Sequence, residues 1–281
     1  MSPDLPWARS IASGDSLHLA CSEAHDQRVE AVQHAESASV EQTIVGRDQE
    51  LAAIAHFLES CVTSPQVLFI SGEPGIGKTL LWESALDQAQ ALGFTVLSCR
   101  TVESETKLAF ASLADLIGPV FDVVAPALAE PQRASLEIAL LRASPKATPP
   151  DLRAIGTGLL SIARELSSRS PTLLAVDDVQ WLDEASASAL GFALRRIGPE
   201  PVGFLATSRR TDDRSDQGLV GLWPHDNSAA THIRVGPLSL SGVHHLLRSR
   251  LGTVLPRPTL ERVLQASGGN PLFALDSAST V

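Results

Sequence analysis

The chain has no tyrosine, and phenylalanine and tryptophan bring its aromatic share to only 4%. A surface that stacks successive bases of single-stranded nucleic acid is built from aromatic rings, so none is expected here. Positive charge is scarce too: 22 Lys and Arg stand against 32 Asp and Glu, a formal net charge of −10. That balance lacks the basic footprint of a nucleic-acid binder, and no DNA binding is expected from this chain itself. Cys21, Cys61 and Cys99 are odd in number, far apart and without a C-x-x-C pair, which argues against a disulfide framework or a thiolate zinc site. They read as reduced thiols. No stretch approaches the roughly 18 uninterrupted apolar residues of a membrane span, and residues 1–7 hold no apolar signal segment. A cytoplasmic protein without membrane contact is the expectation.

What is present suffices for a sizeable core, since 44% of the 281 residues are hydrophobic. The length suits one large domain, or one with a small appendage.

The most informative stretch begins with the apolar run Val67, Leu68, Phe69, Ile70. It leads through Ser71 into Gly72, Glu73, Pro74, Gly75, Ile76, Gly77, Lys78 and Thr79, which fit G-x-x-x-x-G-K-[ST]. Each residue type has a chemical reason. Gly72 and Gly77 let the backbone curl around an anion and present its N–H groups without a Cβ in the way. Lys78 supplies a point charge for the β and γ phosphates, and the Thr79 hydroxyl suits Mg²⁺. Residues 79–91 are rich in Ala, Leu, Gln and Glu and stop at Gly93, as a helix with a glycine cap does. The phosphates then meet a helix N-terminus, and the expected contacts run from Gly72 through Leu80. The ligand implied is ATP or GTP.

Four short apolar runs, residues 67–71, 94–100, 172–177 and 202–208, read as buried strands separated by helical segments, which predicts a parallel sheet and an α/β fold. A fifth run follows at 233–238. The expected architecture is the three-layer P-loop NTPase fold, a five-stranded parallel sheet flanked by helices with a small, partial helical lid. Between the second and third strands, residues 108–117, 132–141 and 152–166 read as helices, the last behind Pro149, Pro150 and the capping Asp151. Residues 1–40 read as a mobile leader with a transient helix near 26–36, residues 41–238 as the core, and 239–281 as the lid, with helices at 243–251, 259–266 and from about 272. Residues 210–230 read as a surface loop.

The second half of a nucleotide site is expected at residues 173–178, an apolar strand ending in Asp177 and Asp178. In a parallel sheet, ligands bind beyond the carboxyl ends of the strands. Asp177 is placed to hold Mg²⁺ and Asp178 to act as general base on an attacking water. Asp183 reads as the N-cap of the next helix. The following strand ends in Thr207, Ser208 and Arg209, and the Arg209 guanidinium matches phosphate oxygens.

With these residues in view, the chain resembles the ATPase region of STAND-type AAA-related NTPases. It most resembles that of the large bacterial LuxR-family regulators similar to the maltose regulator of enteric bacteria. The likeness spans residues 43–279. It rests on Val45-Gly46-Arg47-Asp48-Gln49-Glu50, the phosphate loop, the block from Val176 to Asp183, Thr207-Ser208-Arg209, and Gly268-Gly269-Asn270-Pro271-Leu272-Phe273. The resemblance implies that the nucleotide is ATP, that Gly46 and Arg47 lie near the adenine, that Arg209 senses the γ-phosphate, and that Pro271 packs on the base. Those regulators are several times longer and carry sensor repeats and a DNA-reading helix-turn-helix. Either a piece of such a regulator or a stand-alone switch is expected.

The favoured function is a slow ATPase switch acting through self-assembly or a protein partner. A non-catalytic nucleotide-binding module and a P-loop small-molecule kinase are the alternatives. The kinase would need an acceptor pocket and more basic residues around the transferred group.

Overall fold

The computed structural model describes residues 44–144, 151–209, 230–252 and 254–279. The expected leader lies outside them, as does all but the last residue of the expected 210–230 loop.

Helix α1 (Asp48–Cys61) buries Ile54, Phe57, Leu58 and Cys61, which recur at helical spacing. Strand β1 (Gln66–Gly72) runs into the phosphate loop, and α2 (Lys78–Ala91) leaves it. Then come β2 (Thr95–Arg100), α3 (Ala111–Ile117), α4 (Phe121–Val124), α5 (Glu130–Ala139) and α6 (Leu152–Ser167). The chain continues through β3 (Thr172–Asp177), α7 (Glu184–Leu194), β4 (Val202–Arg209) and β5 (Ala230–Arg234). It closes with α8 (Leu240–Leu251), α9 (Arg257–Ser267) and α10 (Pro271–Ser279).

The five strands form one sheet in the order β2-β3-β4-β1-β5, and every pairing is parallel. Successive side chains of a strand point to opposite faces, so a strand covered on both sides must be apolar throughout. Val67 and Phe69 accordingly join Leu174, Val176, Phe204 and Ala206 under α3 to α7, while Leu68 and Ile70 join Leu173, Ala175 and Leu205 under α1 and α2. The fold is the expected three-layer α/β P-loop architecture. A third cluster, built on Leu238, Val243, Leu247, Leu260, Val263 and Ala274, unites α8, α9 and α10. Among the described residues no helix is long and apolar enough to cross a membrane.

Some boundaries differ from expectation. The fifth strand occupies residues 230–234 rather than 233–238. Val235 still donates to Ser71 O (2.8 Å), but Gly236 and Pro237 follow, and proline has no N–H for the ladder. Leu238 then donates to Gly269 O (2.8 Å) and its side chain packs among the C-terminal helices. Helix α8 starts at Leu240 because the Ser239 side chain accepts from Gly242 N, and α5 starts two residues early, with a proline in its first turn. Helix α3 begins only at Ala111, behind Phe110 in a left-handed conformation (φ 65°).

One feature of the strand order bears on chemistry. Strand β4 lies between β1 and β3, so its end stands beside both the phosphate loop and the two aspartates.

Candidate nucleotide site

The loop between β1 and α2 takes a path that glycine permits. Gly77 has φ 103° and nothing within 4 Å of where a Cβ would stand, so conformation alone demands glycine there. Gly75 has φ 76°, and a Cβ on it would meet Leu272 Cβ at 2.8 Å. Every carbonyl from Gly72 to Ile76 is turned to a named donor. Lys78 Nζ donates to Gly72 O and Glu73 O (3.0 Å each), Asn270 Nδ2 to Pro74 O (2.9 Å) and Arg47 Nη2 to Ile76 O (3.0 Å). The Leu272 amide makes a longer bond to Gly75 O (3.4 Å). Among the described residues the Gly75 and Gly77 amides have no acceptor. Outward carbonyls and unsatisfied amides beside a helix N-terminus are what an anion nest needs.

Across the tip of β4, the acids face this loop. Thr79 Oγ1, in the first turn of α2, donates to Asp177 Oδ2 (3.0 Å) at the end of β3, although β3 and the β1 strand that leads into the loop are not neighbours. Thr207, fully buried at the end of β4, bridges both aspartates: its hydroxyl donates to Asp177 Oδ1 (2.5 Å) and accepts from Asp178 N (2.8 Å). Thr101, just past β2, donates to Asp177 O (3.0 Å) and Asp178 O (2.6 Å). Asp178 itself is left-handed (φ 55°), which aspartate tolerates better than most residues. Its Oδ1 accepts from Gln180 Nε2 (3.0 Å) and its Oδ2 from Arg209 Nη2 (3.2 Å).

Burial pushes the Lys78 ammonium below its ordinary pKa; Asp178 opposes this, Arg209 adds to it, and Asp177 opposes it. Asp183 caps α7 as expected, accepting from Ser186 N (2.8 Å), and it also accepts from Phe110 N (2.9 Å) and Ser112 N (3.2 Å) at the start of α3. Burial acts to raise its pKa, yet hydrogen bonds from Ser186, Phe110 and Ser112 outweigh it and hold the carboxyl below the ordinary aspartate value.

A cavity of about 570 Å³ is lined by Pro74, Gly75, Gly77, Lys78, Thr79, Leu80, Asp178 and Arg209 from the core and by Leu246, Arg250, Pro271, Leu272 and Leu275 from the C-terminal helices. Gly72, Glu73 and Ile76 face a smaller one of about 280 Å³. Gly46 and Arg47 line neither: Gly46 packs against Leu238 and Gly242, and the buried Arg47 guanidinium is taken up by Ile76 O and Glu50 (3.1 Å).

The donor set suits a hard cation beside phosphates. Thr79 Oγ1 and Asp177 Oδ2 are two oxygens at hydrogen-bond distance, and Mg²⁺ keeps several waters and phosphate oxygens, needing only one or two protein ligands. Among the described residues no group of three His, Cys, Asp or Glu offers a metal site of its own.

The sequence profile of the AAA ATPase domain matches residues 43–205, more than half of the chain. The chain belongs to the AAA ATPase domain family. No curated protein matches it. Among solved structures, this AAA ATPase domain is similar to the ORC2 protein of Aeropyrum pernix in ADPNP–ADP complexes (TM-score 0.52, 18% identity, 85% of this chain and 64% of that one). It is also similar to Cdc6p from Pyrobaculum aerophilum (TM-score 0.52, 15% identity, 85% and 61%). At these identities the likeness is one of fold, and the chain spans less than two thirds of either length.

The sequence points to no site role for Thr101, and to Thr207 only as part of the strand-end motif with Ser208 and Arg209. Thr207 shows only as a hydroxyl residue ending an apolar strand. Its partner is set by which strand lies beside β3, and no local spacing encodes that.

Proposed function

We propose that this AAA ATPase domain is an ATP-binding, slowly hydrolysing regulatory switch, and the ATPase module of a LuxR-type transcriptional regulator. The observation that carries the nucleotide reading is the 3.0 Å approach of Thr79 Oγ1 to Asp177 Oδ2 at the mouth of an amide-lined loop. The regulator assignment rests on the resemblance of the lead-in, aspartate and Gly-Asn-Pro segments.

In this reading, the loop from Gly72 to Leu80 holds the phosphates through its amides. Lys78 exchanges its two carbonyl acceptors for phosphate oxygens, and since its side chain is already ordered, little further entropy is lost. Thr79 and Asp177 hold Mg²⁺, which when bound neutralises charge on the phosphate oxygens. Arg209 is nearly half exposed, and such a surface pair contributes only about 0–1 kcal/mol, so its bond to Asp178 does not prevent it from turning to the γ-phosphate. Asp178 keeps lone pairs beyond those given to Gln180 and Arg209, enough to accept a proton from water. The apolar wall of Leu80, Leu246, Pro271 and Leu275 receives the base. ATP between core and lid favours one arrangement of the two, which alters self-assembly or partner binding.

Calorimetry with Mg·ATP tests binding. Ligand at a hundredfold Kd stabilises the fold by about 2.7 kcal/mol, and Lys78→Ala should abolish that gain. An unchanged thermal shift in the variant removes the assignment of the loop. A second reading, nucleotide binding without turnover, is favoured by the engagement of both Asp178 oxygens. Phosphate release separates the two: Asp178→Asn should bind ATP but lose turnover, and release at the wild-type rate excludes Asp178 as base.

A further inference from the structure

We infer that Asn270 is a positioning residue of the phosphate loop, holding the Pro74 carbonyl turned outward so that loop and lid move as one body. The inference rests on the nucleotide reading above only for its consequence in binding.

Asn270 is buried (3% exposed) where α9 passes into α10. Its Oδ1 accepts from Leu272 N (3.1 Å), which caps α10, and its Nδ2 donates to Pro74 O (2.9 Å), 196 residues away in sequence. The orientation of the amide follows from the partners, since a backbone N–H needs the oxygen and a carbonyl needs the nitrogen. Capping requires only an acceptor, and serine or aspartate serves as well. Among the favoured capping residues only asparagine also carries N–H donors, and here the surplus donor reaches the loop.

The surroundings make this a rigid link. Gly75 lies so close to α10 that a Cβ would stand 2.8 Å from Leu272 Cβ and 3.0 Å from Asn270 Oδ1. On its other side the segment is fixed by Leu238 N donating to Gly269 O (2.8 Å). A carbonyl of the nest that lost its outside donor would be free to rotate inward, where it would repel phosphate. Lys78, the other principal donor, is drawn from Gly72 O and Glu73 O toward an arriving phosphate. Asn270 need not leave, so its hold persists through binding and carries the state of the loop to the lid.

Two variants separate the link from the cap. Asn270→Ser keeps a capping oxygen and loses the group that reaches Pro74; Asn270→Ala loses both. In nucleotide-free Asn270→Ser, amide exchange at Ile76, whose N–H donates to Glu73 O (3.3 Å), should quicken roughly threefold to tenfold, the equivalent of one net hydrogen bond, while the later amides of α10 keep their wild-type rates. Affinity for a non-hydrolysable Mg·ATP analogue should fall by a similar factor. Loop exchange at the wild-type rate in Asn270→Ser, or a change seen only in Asn270→Ala, would show a cap and nothing more. Should the wild-type chain bind no ATP, the proposed function falls, and the exchange measurement still decides the link.

Discussion

Replacing Thr207 with valine keeps the shape of a fully buried side chain and deletes one hydroxyl. That hydroxyl satisfies two groups at once, the Asp177 carboxylate and the Asp178 amide. A hydrogen bond to a charged group contributes about 1.5–3 kcal/mol, and a buried amide left without a partner costs about 1–3 kcal/mol. The methyl that replaces the hydroxyl returns about 0.8 kcal/mol through burial. The expected loss of stability is therefore about 2–5 kcal/mol. Thr207→Ser makes the reciprocal change: it retains the hydroxyl and loses a methyl, at a cost of about 1 kcal/mol.

Urea denaturation of the two variants beside the wild type gives the ordering directly. Thr207→Val should be the less stable. It should also need more Mg²⁺ to reach half-maximal nucleotide-dependent stabilisation, because Asp177 Oδ1 is no longer held and Oδ2 is no longer fixed toward Thr79. Thr207→Ser should match the wild type in this respect. If serine destabilised more than valine, packing rather than hydrogen bonding would govern this position. If the valine variant kept wild-type Mg²⁺ dependence, Thr207 would not position Asp177.

Asp183→Ala should destabilise by about 2–4 kcal/mol, since it strips acceptors from two helix starts at once; a loss below 0.5 kcal/mol in thermal unfolding would refute the double cap. Because the Asp183 carboxyl is held below its unfolded value of about 3.9, its contribution is present above that pH and lost as pH falls through the folded value. The gap in stability between wild type and Asp183→Ala should therefore narrow only below about pH 4, and a gap already closing at pH 6 would contradict this. Burial pushes the Cys61 and Cys99 thiols up to about 12, so iodoacetamide at pH 8 should leave both unlabelled in the native protein, as peptide mass spectrometry would show. Rapid native labelling of either would mean that its surroundings open.

What the sequence displayed and what it hid divide along a physical line. The parallel α/β sheet was legible because strands buried on both faces must be apolar runs, and the loop because glycine, lysine and threonine act through their own neighbours in the chain. Asp183 was legible as the cap of α7 because a cap lies next to its helix; its second role, at α3, depends on a contact across 71 to 73 residues. Thr207, Thr101 and Asn270 act at separations of 30, 76 and 196 residues, and each depends on which elements the fold makes adjacent. The strand order is the deciding fact. Strand β4 sits between β1 and β3, and its place beside both aspartates calls for a small side chain that both donates and accepts. Threonine meets that demand, and a hydrophobic residue of equal volume does not. The same reasoning applies where α10 meets the loop: a close approach over a glycine, closed by an amide that bonds in both directions, leaves little freedom for loop and helix to part.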